Sequence, residues 1–83
     1  MSVSSLILQT TPKRQSTLRL ELENIHGVQV HALTKDGRMV ITVDESDQSR
    51  YEGILAQIPK MNGVIKASLV YNDPDAAFSD EDD

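Results

Sequence analysis

The side chains of this 83-residue chain best suited to metal or acid–base chemistry are His26 and His31. No Asp or Glu is spaced with either to close a metal site, and the absence of cysteine excludes thiolate zinc, iron–sulfur clusters, disulfides and a cysteine nucleophile. Ser4, Ser5 and Ser68 lack the flanking glycines of a nucleophile elbow. Neither GxGxxG nor GxxxxGK[ST] occurs, and the basic run Thr10-Thr11-Pro12-Lys13-Arg14 has no glycine with which to cradle phosphate. The expectation is a protein that holds no metal or cofactor. What remains is binding chemistry, carried by polar and apolar side chains interleaved along strands.

Those strands can be read from periodicity. Val3 to Gln9 is short and apolar at its centre, which suits a strand buried on both faces. Thr11-Pro12 reads as an N-cap with proline at the first helical position. Leu18, Leu22 and Ile25 then form one helical stripe, with Leu20 off it and Gly27 as a left-handed C′ stop. Val28 to Leu33 and Arg38 to Val43 alternate with period two around Lys35-Asp36-Gly37, the signature of a hairpin. Ser46 or Asp47 caps a second helix with Tyr51, Ile54, Leu55 and Ile58 on one face. Gly53 weakens that helix by about 1 kcal/mol and Pro59 ends it. Val64 to Tyr71 is the fourth strand.

Ile25-His26-Gly27-Val28 recurs 36 residues later as Met61-Asn62-Gly63-Val64. Two strand–helix–strand halves joined by a hairpin give an α+β, ferredoxin-like βαββαβ domain over residues 1–72. The crossover rule puts both helices on one face of a four-stranded antiparallel sheet of order 4-1-3-2 and leaves the other face bare. Val28, Val30, Ala32, Met39, Ile41 and Val43 are expected to face the helices. The candidate binding residues are then outward: Ile7 and Gln9, His31, Arg38, Val40 and Thr42, and Lys66, Ser68 and Val70, with Ser5, Gln29 and Leu33 beside them. Such a face, apolar in patches and ringed by Arg38, His31 and Lys66, can accept an apolar helix or peptide.

The net charge of −5 belongs to the end of the chain. Residues 72–83 contain six acids and no base, leaving seven acids against eight Lys and Arg before them. A near-neutral body does not supply the dense basic face that duplex nucleic acid calls for. The central strands also lack the aromatics on which an RNA-recognition motif stacks bases. Residues 73–83 have no apolar pattern and read as a disordered acidic tail. No apolar run reaches the roughly 18 residues of a membrane span, and the N-terminus has no basic n-region, so a cytoplasmic, non-membrane protein is expected.

Taken together and in order, Ser5-Leu6-Ile7-Leu8, His26-Gly27-Val28-Gln29-Val30, Gly37-Arg38-Met39-Val40-Ile41-Thr42-Val43, Ile58-Pro59, Asn62-Gly63-Val64 and Ala67-Ser68-Leu69-Val70-Tyr71 resemble the NapD-type chaperones. The resemblance covers residues 3 to 72, with Asn72 standing where the family often carries histidine. It implies a non-enzymatic protein that binds the twin-arginine signal peptide of the periplasmic nitrate reductase precursor in the cytoplasm. It further implies that export is held back until cofactor insertion into that enzyme. A signal peptide lying as a helix on the bare face would meet Ile7, Val40 and Val70 with its apolar side, and Gln9, Thr42 and Ser68 with polar groups. Asp36, Asp44 and Glu45 are candidate acceptors for its arginines, although each also suits capping or turn formation. The other reading of the same fold is a stand-alone ligand-sensing or subunit-interface domain.

Overall fold

The structure, a computed structural model, describes residues 2–73, with side chains over 3–70. The elements run β1 (Ser2–Thr10), a 3-10 turn (Pro12–Arg14), α1 (Gln15–Glu23), β2 (Val28–Leu33), β3 (Arg38–Glu45), α2 (Gln48–Gln57), a second 3-10 turn (Ile58–Lys60) and β4 (Val64–Asp73). All neighbouring strands are antiparallel, in the order β2-β3-β1-β4, which is the expected 4-1-3-2 read from the other edge. The expected acidic tail lies outside the described residues, apart from Asp73 at the end of β4.

One core holds the layers together. Leu6 and Leu8 of β1 and Met39, Ile41 and Val43 of β3 pack against Leu18 and Leu22 of α1 and against Tyr51, Ile54 and Ile58 beyond β3. Both helices therefore cover the same face of the sheet. Leu8, Leu18, Leu22, Met39, Ile41, Val43 and Ile58 are fully buried, each contributing roughly 1.5–3 kcal/mol of apolar burial. The Tyr51 hydroxyl crosses this core to the Ser4 hydroxyl, so two buried polar groups satisfy each other. β1 is buried on this side alone: Ile7 is half-buried and Gln9 exposed, which corrects the expectation of a strand covered on both faces.

The helix starts differ in chemistry. Asp47 caps α2 by accepting the Arg50 N–H at 3.0 Å. Thr11 precedes Pro12 as expected but makes no side-chain cap, and the chain passes through a 3-10 turn before α1. The expected left-handed C′ stop at Gly27 is also corrected. α1 ends at Glu23 with Asn24 as its cap, and Gly27 instead sits third in a four-residue turn closed by the Val28 N–H on the Ile25 carbonyl at 3.1 Å. The repeat at Met61–Val64 makes the same turn, Val64 N–H to Met61 carbonyl at 3.1 Å. Both glycines have positive φ, +93° and +104°, as the third position of such a turn demands.

The hairpin between β2 and β3 is pinned from below. The Thr10 N–H and hydroxyl both donate to the Gly37 carbonyl at 2.7 Å. Gly37 has φ +100°, and a Cβ there would collide with the Thr10 carbonyl oxygen.

β2 holds a further correction. Val28, Gln29 and Val30 pair with Val43, Thr42 and Ile41, but Ala32 pairs with Val40 and Leu33 with Met39. His31 is the extra residue of a β-bulge, and an inserted residue reverses the faces that follow it. Ala32 therefore shares the face of Val40, and Leu33 that of Met39, opposite to simple alternation.

Candidate functional site

The face of the sheet away from the helices is assembled by register alone. β3 alternates buried Met39, Ile41, Val43 and Glu45 with outward Arg38, Val40, Thr42 and Asp44. Pairing transfers this order to β1, where Ser5 lies opposite Thr42, Ile7 opposite Val40 and Gln9 opposite Arg38. It passes on to β4, where Ser68 lies opposite Ile7 and Lys66 opposite Gln9. The result is a set of rows. Ala32, Val40, Ile7 and Ser68 form an apolar and small centre, and Arg38, Gln9 and Lys66 a basic row at one end.

Most of the sequence-derived candidates therefore meet on one surface. Ile7, Val40, Thr42 and Ser68 are half-buried by their neighbours, while Gln9, His31, Arg38 and Lys66 are exposed. His31 belongs to the same surface despite the bulge, because its Nε2 lies 2.8 Å from the Thr42 hydroxyl. Val70 stands apart: Leu6 pairs with Leu69 and Ser5 with Tyr71, so Val70 is an unpaired bulge residue on the edge strand, 55% exposed. Val3 and Ala32 also belong to this face and were not singled out from the sequence. The Ala32 signal was present, since two consecutive apolar residues, Ala32-Leu33, break a strict alternation.

The three acidic candidates separate. Glu45 is on the helix side and buried, where it accepts the Asp47 N–H at 3.1 Å and lies 3.3 Å from His26 Nδ1. Those contacts, the Asp47 N–H first, hold its carboxyl below the ordinary value of 4.5. Asp36 is in the hairpin turn, bound by the Thr34 hydroxyl and 3.7 Å from the Arg38 guanidinium, and both keep its carboxyl below the usual range. Asp44 is exposed on the outer face, opposite Val3. Only Asp44 can face an occupant of this surface without first giving up a partner among the described residues.

The described residues hold no cluster of three or more metal-ligating side chains and no helix long and apolar enough to cross a membrane. An open cleft of about 370 Å³ lies on the helix side, between Ile25, His26 and the α2 residues Arg50, Gly53 and Ile54. Its carboxylate is Glu45, which accepts the Asp47 N–H and lies 3.3 Å from His26 Nδ1.

The family described as NapD protein matches residues 1–76. Chaperone NapD of Haemophilus influenzae is 31% identical over 74 residues, spanning 88% of this chain and 80% of the relative. The solution structure of the E. coli Tat proofreading chaperone protein NapD aligns with a TM-score of 0.76 at 22% identity, over 98% of this chain and 86% of that one. At that identity the likeness establishes the shared fold.

Proposed function

The chain belongs to the NapD family, and from that premise we propose that it is a non-enzymatic maturation chaperone for the periplasmic nitrate reductase catalytic subunit. It binds the twin-arginine signal peptide of the precursor in the cytoplasm and holds back export until cofactor insertion is complete. The observation that carries this reading is the bare outer face, with Val40, Ile7, Ala32 and Ser68 at its centre and charged residues at its ends. A signal peptide has matching parts: an arginine pair followed by an apolar stretch. As an amphipathic helix it covers the centre, the mode in which an apolar helix face lies on an apolar surface. Ile7 and Val40 contact its apolar side, Gln9, His31, Thr42 and Ser68 its polar groups, and Arg38 and Lys66 border it, with Val70 at the bulged edge strand beyond the centre.

Titrating the purified chain with a synthetic twin-arginine signal peptide tests this. The expected Kd is micromolar to nanomolar, about −8 to −12 kcal/mol. No saturable binding with tens of micromolar peptide, by calorimetry or by fluorescence anisotropy, removes the proposal. In cells, deletion of the chaperone should release precursor to the periplasm without its cofactors, and export timing unchanged by deletion would contradict the hold-back step.

A further inference from the structure

β1 is flanked at its two ends by opposite charges. Gln9 has Arg38 and Lys66 as its neighbours across the sheet, whereas Val3 has the exposed Asp44. These rows lie six residues apart, about 20 Å along the strand at roughly 3.4 Å per residue. A helix of about 13 residues spans that distance at 1.5 Å each. The centre between them is Val40, Ile7 and Ser68. The outer face therefore has an electrostatic direction as well as an apolar middle.

From this the geometry points to one polarity for the bound signal peptide. Its arginine pair sits at the Asp44–Val3 end, and its apolar stretch runs as a helix over Val40 and Ile7 toward Arg38 and Lys66. This inference rests on the reading that the outer face is the peptide site. Two independent charges agree on the direction. The arginines and the positive N-terminal end of the helix dipole both meet Asp44, and the carbonyls at the helix C-terminus meet the basic row. The reverse arrangement puts arginines against Arg38 and Lys66, with helix carbonyls over Asp44. The other acids do not supply a competing acceptor. Glu45 is 6% exposed on the opposite face, and Asp36 is held by Thr34 and Arg38. Among the described residues no base pairs with Asp44, which makes it the specificity-determining carboxylate of this end.

Photo-crosslinking with the unmodified chain tests the direction. One synthetic twin-arginine peptide carries a benzophenone residue just before the arginines, and a second carries it at the end of the apolar stretch. The first should crosslink around Val3 and Asp44, the second around Gln9, Arg38 and Lys66. Crosslinks on the outer face with the two ends exchanged overturn the polarity and leave the site standing. Crosslinks confined to the helix side overturn both. Charge reversals give a second measurement at low salt. Asp44→Lys should weaken binding by about fivefold or more, and Lys66→Glu by about twofold, both differences shrinking as salt is raised. Circular dichroism checks that each variant is folded. If both reversals tighten binding, or neither alters it, the polarity is wrong.

Discussion

The two faces of β3 are one residue apart in sequence and opposite in what they do. Met39, Ile41 and Val43 are fully buried beneath the helices, while Arg38, Val40, Thr42 and Asp44 form the uncovered side of the same strand. The buried set is apolar without interruption until Glu45, whose carboxylate is satisfied locally. The uncovered set mixes valine, threonine and both signs of charge. A strand whose outer face were as apolar as its inner face would invite aggregation in the absence of a partner. This one keeps its apolar area small, at Val40, Ile7 and Ala32, and surrounds it with groups that stay hydrated. The comparison teaches that the core and the uncovered surface of this domain can be altered separately, because alternate residues of one strand carry each.

The largest effect should come from breaking the buried side. Ile41→Glu places a carboxylate in a fully buried apolar site with no partner, a cost of several kcal/mol, comparable with the whole stability of a domain this small. The variant should be unfolded or aggregated by circular dichroism and gel filtration. A cooperative melt near that of the unmodified protein would show that the two faces are not distinct.

Val40→Glu is the matching change one residue earlier. Its carboxylate stays hydrated in the free protein, so the melting temperature should move by only a few degrees. Under a bound apolar helix the same charge is desolvated, and peptide affinity should fall about a hundredfold, near 2.7 kcal/mol. A folded variant that binds with undiminished affinity would sink the outer face as the site.

A smaller effect separates the inner carboxylate from the outer surface. The folded pKa of Glu45 is depressed, first by the Asp47 N–H and then by His26. Its contribution to stability is therefore present above the unfolded pKa and is lost as pH falls through the folded one. Between about pH 5 and 3 the melting temperature should fall more steeply for the unmodified protein than for Glu45→Gln. Parallel curves would mean that the contacts of Glu45 do not favour its ionised form. Peptide affinity at neutral pH should be the same for both proteins.

The smallest change is a gain. Gly53 is inside α2, and a Cβ there meets nothing within 4 Å. Gly53→Ala should add roughly 0.5–1 kcal/mol, a rise of several degrees in melting temperature, with peptide affinity untouched. A rise in stability accompanied by altered binding would couple the helix side to the outer face.

Most of the architecture was legible because its signals are local. Strand alternation in Arg38 to Val43, the stripe Tyr51-Ile54-Leu55-Ile58 and the capping Asp47 each depend on residues within a few positions of one another. The duplicated Ile25–Val28 and Met61–Val64 segments fold into the same turn. The misreadings have local causes too. Gly27 looked like a helix stop because positive φ serves both a C′ position and a tight turn. The bulge at His31 has one sequence signal, the consecutive apolar Ala32-Leu33, and it comes at the end of a segment whose first five residues alternate.

Residue types and spacing thus determined the elements, their inward and outward sides and the absence of metal-cluster or nucleophile motifs, since period and turn chemistry are properties of the chain itself. The tertiary structure alone decided which of three acids reaches the outer face, where strand bulges reverse or suspend the alternation, and that β1 has a basic row across one end and Asp44 across the other. The physical reason is register. Arg38, Gln9 and Lys66 are distant in sequence, and only the hydrogen-bonded pairing of β3, β1 and β4 sets them side by side.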